Sequence, residues 1–168
     1  GTFRDKPLDT AIVNELELAA NLEGAQLYIT RNENTRHLIA DLIAEGDKLQ
    51  WSDPDFRDEL AAWTHPSRSK SQDGIPGYAL HINDAASYLT PFIIRRFDMG
   101  RGQAMKDQTL VEGSPALAVL HTEEDTPYYW LRAGQALAHL LLKASFHNIH
   151  ASFFNQPIEV ERLRTRLK

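Results

Sequence analysis

His139, His147 and His150 lie near one another in the chain and invite a metal-binding reading. Two histidines three apart give poor ligand geometry, because metal-binding pairs on a helix favour i, i+4. A helix end, where histidine suits the dipole, is the simpler account. Gly100-Arg101-Gly102 neither follows a strand nor opens a periodic helix, so it reads as a turn and fails as a phosphate loop. Ser67, Ser69 and Ser71 lack the glycine-flanked elbow and the base–acid order of a nucleophile. Glu123-Glu124-Asp125 offers carboxylates for acid–base work, yet its position suits a solvated turn that caps the next helix.

Three further groups keep a functional reading beside a plain one. Arg132, Gln135, His139 and Lys143 recur at three/four spacing and form one polar stripe on an otherwise apolar helix. A solvated helix face is the plain account. Phe153-Phe154, between Ser152 and Asn155, supplies aromatic faces and hydrogen-bonding groups of the kind that hold a flat ligand. Core packing explains the two rings equally well. Arg162, Arg164 and Arg166 are guanidinium groups suited to a phosphate, although helix-end charges are usually solvated.

The elements that must position these residues are helix-rich with three or four short strands, which is an α+β pattern and not a regular βαβ series. Pro7-Leu8-Asp9-Thr10 opens a helix with Ile12, Val13, Leu16, Ala19 and Ala20 on one face, ending near Gly24. Ala25 to Thr30 alternates as a half-buried strand does. A second helix over 32–49 buries Leu38, Ile39, Leu42 and Ile43. Asp53-Pro54 starts a third, with Phe56, Leu60 and Trp63 at i, i+4 and i+7. Residues 64–84 are dense in turn formers and predict a long, lid-like loop. Residues 85–97 look helical but hold Pro91, which should kink the helix or start a new turn, and 98–113 are glycine-punctuated and polar. Pro115 introduces Ala116 to Leu120, apolar on both faces and so expected as a central strand. Thr126-Pro127 begins a helix to about Phe146. It is apolar nearly all round, which predicts burial in a core or at a subunit interface. Ile149 to Phe154 reads as a strand, and Pro157 begins the last helix.

Composition narrows the classes further. A chain of 168 residues suggests a single domain over 1–168. With no Cys, a disulfide framework, a thiolate metal site, an iron–sulfur cluster and a cysteine nucleophile are excluded. A net charge of −5 argues against nucleic-acid binding, which depends on Lys and Arg neutralising phosphates. No apolar run approaches the roughly 20 residues of a membrane span, and no signal-like leader is evident. The expectation is a soluble, cytoplasmic module without membrane contact. Position 1 is Gly and the only methionines are Met99 and Met105, so an upstream segment that carries part of any site is expected to be missing.

Several stretches, in order, resemble the nitroreductase-like family. Phe3-Arg4-Asp5-Lys6-Pro7-Leu8-Asp9 looks like the opening of such proteins. Asp58-Glu59-Leu60-Ala61-Ala62-Trp63-Thr64 and Asp73-Gly74-Ile75-Pro76 are closer to its Acg-type branch, whose members also occur fused to ThiF-like adenylating domains. Gly113 to Leu120, Trp130 to Leu137 and Ala151 to Val160 continue the match across nearly the whole chain. The resemblance implies an α+β nitroreductase-like fold, a small mixed or antiparallel sheet flanked by helices, and a long buried central helix. It further implies FMN at a two-fold or pseudo-two-fold interface, NAD(P)H as electron donor and a small-molecule acceptor. The chain is similar to the second half of the Acg-type proteins, so its partner would be a second copy or a related, missing half. On this resemblance Ser152, Phe153 and Phe154 lie by the flavin ring, and Arg4 and Arg164 by its phosphate. The Ser/Asn-rich segment that typically follows the first helix is replaced here by Ala20-Asn21-Leu22-Glu23-Gly24. No side-chain acid, base or nucleophile is required, because a flavin carries the redox chemistry itself. The rival expectation is a noncatalytic module that sequesters flavin, or a flavin-free interaction domain of a larger protein.

Overall fold

The structure, a computed structural model, describes residues 7–80 and 82–167. Arg4 therefore lies outside the described residues. Helix α1, Thr10–Leu22, begins where Asp9 accepts a hydrogen bond from the Ala11 amide, and it buries Leu16, Ala19 and Ala20. Gly24, at φ +78°, turns the chain into β1, Gln26–Thr30. Helix α2 spans Glu33–Ser52 and α3 spans Pro54–Ala62, the latter capped by Asp53. Two short strands, β2 (Thr64–His65) and β3 (Ile75–Pro76), pair in parallel and lead into a 3-10 turn at Gly77–Leu80. A ladder thus ties the start of the expected long loop to its middle.

Beyond it come α4 (Asp84–Ser87) and α5 (Thr90–Arg96), the latter starting around Pro91 as its fixed φ favours. Helix α6, Gly100–Glu112, corrects the reading of 98–113 as irregular. Its buried positions are Gly100, Ala104, Asp107 and Val111, with Ser114 just past its end. Those positions recur at helical spacing, but Val111 is the one sizeable apolar residue among them, so the usual signal was absent. Asp98 accepts a hydrogen bond from the Gly100 amide and starts the helix. Gly100-Arg101-Gly102 is therefore a helix opening and not a turn.

Strand β4, Leu117–His121, pairs antiparallel with β1, placing Tyr28 opposite Val119 and Thr30 opposite Leu117. Among the described residues β4 has this one neighbour, so it is not central. Helix α7 spans Pro127–Phe146 as expected. It ends where the Ile149 amide donates back to the Ala144 carbonyl and Asn148 adopts φ 57°. The predicted strand at 149–154 does not form: no partner strand lies beside it among the described residues. The last helix is broken at Val160 into α8 (Gln156–Glu159) and α9 (Glu161–Leu167).

The chain forms two compact units, Gly1–Ala40 with Thr109–Phe154, and Asp41–Gln108 with Asn155–Lys168. In the first, α1 packs along α7 and against β1, and α7 also touches β4. In the second, Trp51, Ala61 and Ile94 form a core to which Phe56 and Leu60 add. The Trp51 and Phe56 rings meet edge to face at 6.2 Å. Leu163 and Pro157 are fully buried in the same unit. The architecture is mostly helical α+β with two small sheets. Leu38, expected inside, is largely exposed, whereas Leu42 and Ile43 are buried.

Candidate functional site

Helix α7 divides its surface between two stripes. One stripe meets α1 and is ionic. Arg132 Nη1 lies 3.9 Å from Glu23 Oε2, and His139 Nδ1 lies 3.3 Å from Glu23 Oε1. One and two turns further on, Lys143 Nζ and His147 Nε2 stand 3.6 and 3.1 Å from Glu15 Oε2. Gly24 leaves the room this needs: a Cβ there would lie 3.2 Å from Arg132 Nε. The polar stripe is therefore satisfied by Glu15 of α1 and by Glu23 just past its end, while Gln135 is exposed to solvent. His139 and His147 are ion-pair partners, and no group of three or more metal-ligating side chains occurs among the described residues.

The hydrogen bond with His147 holds the Glu15 carboxyl below the usual carboxylate range; burial opposes it, and the His147 and Lys143 charges assist. A lowered carboxylate contributes stability that is present above its unfolded pKa and is lost as pH falls through the folded one. Between about pH 5 and about pH 3 the wild-type melting temperature should therefore drop further than that of Glu15→Gln. The site is solvated, so the difference should be small. Parallel melting curves that stay equally spaced would show that the α1–α7 pairs do not couple to folding.

The second stripe of α7 faces water. Leu131, Leu142 and Phe146 are 65%, 72% and 79% exposed, and Tyr128 shares their side of the helix. Only Ala136 and Ala144 are buried. Within a single chain the long helix is thus half uncovered, which corrects the expectation of a core helix. The spacing 128, 131, 135, 138, 142 follows the alternating three/four step of a helix–helix seam.

Ser152 and Phe153, just beyond α7, are exposed, and Phe154 is half-buried; all three belong to the first unit. Arg164 belongs to the second, where its Nε donates to the Ile158 carbonyl at 2.6 Å. Its neighbours Arg162 and Arg166 pair with Glu45 at 3.6 and 2.5 Å. The three arginines thus have local partners. A cavity of ≈ 220 Å³ in the first unit is lined by Glu33, Arg36, His37, Val111 and Glu112. That volume lies below the roughly 300–1,000 Å³ usual for ligands of cofactor size. Ser152 and Phe153 do not line this cavity, and Arg164 lies in the other unit, so the described residues of one chain do not bring the flavin-site residues expected from sequence into one cradle.

A feature that sequence reasoning missed lies in the second unit. Asp47 of α2 and Asp107 of α6 are 2% and 6% exposed. Gln156 Nε2 of α8 donates to Asp47 Oδ1 at 2.9 Å and to Asp107 Oδ2 at 3.0 Å. Gln103 Nε2 donates to Asp107 Oδ1 at 3.0 Å. Asp47 Oδ2 and Gln156 Oε1 are buried without a hydrogen-bond partner. Gly46 allows the approach, since a Cβ there would lie 2.6 Å from Gln156 Cβ. Burial pushes the Asp47 carboxyl up to about 6; the Gln156 hydrogen bond opposes this and the Asp107 charge adds to it. A proton on Asp47 turns its carboxyl from an acceptor alone into a donor as well. The signal was available: Ala40, Ala44, Asp47 and Trp51 form one buried stripe of α2.

No protein-family model matches this chain, and neither a curated protein nor a solved structure matches it.

Proposed function

We propose that this chain is one half of an FMN-dependent oxidoreductase of the nitroreductase kind, completed by a second copy or a related half across the open face of α7. NAD(P)H is the electron donor and a small molecule the acceptor. The observation that carries this reading is the uncovered apolar seam Tyr128, Leu131, Leu142 and Phe146 on a helix whose other side is fully engaged. A monomer rarely keeps this many large apolar side chains exposed along one side of a helix. Ser152 and Phe153 follow directly in the chain and supply an exposed hydroxyl and an exposed ring for one wall of a flavin slot. When bound, the flavin supplies hydride and electron transfer, and the protein supplies orientation and exclusion of water.

The test is an absorbance spectrum of the purified protein from about 300 to 550 nm, before and after FMN addition and desalting. Retained, near-stoichiometric flavin bands that bleach with NADH or NADPH support the proposal. Bands that persist unreduced favour the rival, a flavin-sequestering module. The small, polar cavity at Arg36 favours instead the flavin-free form of the rival, an interaction domain of a larger protein. A blank spectrum from a protein that is also monomeric would defeat both and leave a flavin-free interaction domain.

A further inference from the structure

The second unit holds an open cleft of ≈ 580 Å³, lined by Phe56, Leu60, Trp63 and Ile75 together with the carboxylates Glu59 and Glu159. Its shape follows from local sequence. Phe56, Glu59, Leu60 and Trp63 stand at i, i+3, i+4 and i+7, so α3 presents them as one stripe. The β2–β3 ladder closes the side: the Ile75 amide donates to the Trp63 carbonyl at 2.7 Å. Gly74, at φ +72°, makes that approach possible, since a Cβ there would stand 2.3 Å from the Trp63 carbonyl oxygen. The wall is therefore set by backbone hydrogen bonding and not by a mobile side chain.

The lining has an uncompensated charge. No Lys or Arg is part of it. Nearby cations are engaged elsewhere: Arg57 donates to the Trp51 and Arg95 carbonyls, Arg95 lies 3.5 Å from Asp58, Arg162 lies 3.6 Å from Glu45, and Arg164 donates to the Ile158 carbonyl. Glu159 accepts a hydrogen bond from the neutral Gln50 amide at 2.6 Å, which leaves its charge unbalanced. Glu59 has no ion-pair partner among the described residues. Apolar and aromatic surface beside two free negative charges is complementary to one ligand chemistry. That chemistry is a positive charge carried on an apolar body, held by carboxylates and by the faces of Trp63 and Phe56.

We propose that this cleft binds a small organic cation, an alkyl- or arylammonium, with its apolar body against Phe56, Leu60, Trp63 and Ile75 and its ammonium at Glu59 and Glu159. The site lies wholly within the second unit and is independent of the flavin reading.

The probe is 2-phenylethylammonium, compared with 2-phenylethanol, which keeps the ring and chain but replaces the charged ammonium with a hydroxyl. Binding is followed by the NMR shift of the Trp63 indole N–H, assigned with Trp63→Leu. The amine is expected to bind at least about tenfold tighter than the alcohol. Glu59→Gln should remove most of that preference while leaving the alcohol unchanged. Glu124→Gln, which deletes the same charge at a residue that does not line the cleft, should leave the preference intact. Equal affinity for amine and alcohol, no Trp63 shift up to about 10 mM amine, or equal losses in the two Gln variants would overturn the proposal. Glu59 and Trp63 are both exposed, so none of these substitutions removes core packing.

Discussion

Replacing Asp47 with asparagine should stabilise the chain by about 2–3 kcal/mol at about pH 8 and leave it nearly unchanged at about pH 4. In the folded state the Asp47 carboxyl is raised from 3.8 to about 6, chiefly by burial. A raised acid binds its proton more tightly when folded than when unfolded. Its stability contribution is therefore complete below about pH 4 and is lost as pH rises through about 6. The elevation corresponds to about 3 kcal/mol if the pocket does not relax. The substituted carboxamide keeps an oxygen to accept from Gln156 and brings a permanent N–H donor toward Gln156 Oε1 and Asp107, so it resembles the protonated acid at every pH. Urea unfolding of wild type and variant at intervals across that range measures the difference directly. A difference that does not change with pH would mean that Asp47 is solvated in the folded chain. Comparison with the wild type at each pH also cancels the opposite, acid-side effect of Glu15.

The second large effect concerns the open side of α7. The pair Leu131→Glu and Leu142→Glu should weaken self-association, or association with a related half, by at least about a hundredfold. Each leucine offers roughly 1.5–3 kcal/mol on full burial, and each glutamate adds the cost of desolvating a charge in an apolar seam. Both positions are largely exposed in the single chain, so the fold itself should change in stability by no more than about 0.5 kcal/mol. Sedimentation velocity across a concentration series reads the association, and flavin retention measured on the same samples reads its consequence. A wild-type chain that stays monomeric at about 100 µM would remove the homodimer form of the proposed function. Unimpaired association of the double variant would move the interface away from α7.

The elements that could be read from sequence are those whose boundaries are chemically marked. Asp9 caps α1, Asp53-Pro54 opens α3, and Thr126-Pro127 opens α7, as anticipated. Burial was harder to read because it depends on which face meets a neighbour. In α7 Tyr128, Leu131, Leu142 and Phe146 are exposed, Leu137, Leu140 and Leu141 are half-buried and two alanines are fully buried, so hydrophobicity all round the helix did not mark the covered face. In α6 the inward stripe of Gly100, Ala104, Asp107 and Val111 contains one sizeable apolar residue, and the helix was missed. The strand expected at 149–154 had the right residues but no partner, and a strand is a pairing before it is a sequence. Of the site, the polar stripe of α7 was visible as a pattern, while its partners Glu15 and Glu23 are distant in sequence. Asp47 and Asp107 do not stand out in the sequence, because only the stripe around each reveals that it turns inward.

The interleaving of the two units sets an order on synthesis. Every part of the first unit has been made once Phe154 is added, whereas the second still waits for the stretch that begins at Asn155. That stretch brings Gln156, which bridges the two acids, and Pro157 and Leu163, which are fully buried. On a ribosome the first unit is thus able to close before the second, as is usual for parts completed earlier. Until then Asp47 and Asp107 meet water in place of a glutamine. A nascent chain paused at that point carries a complete first unit and a second that still lacks the residue bridging its two acids.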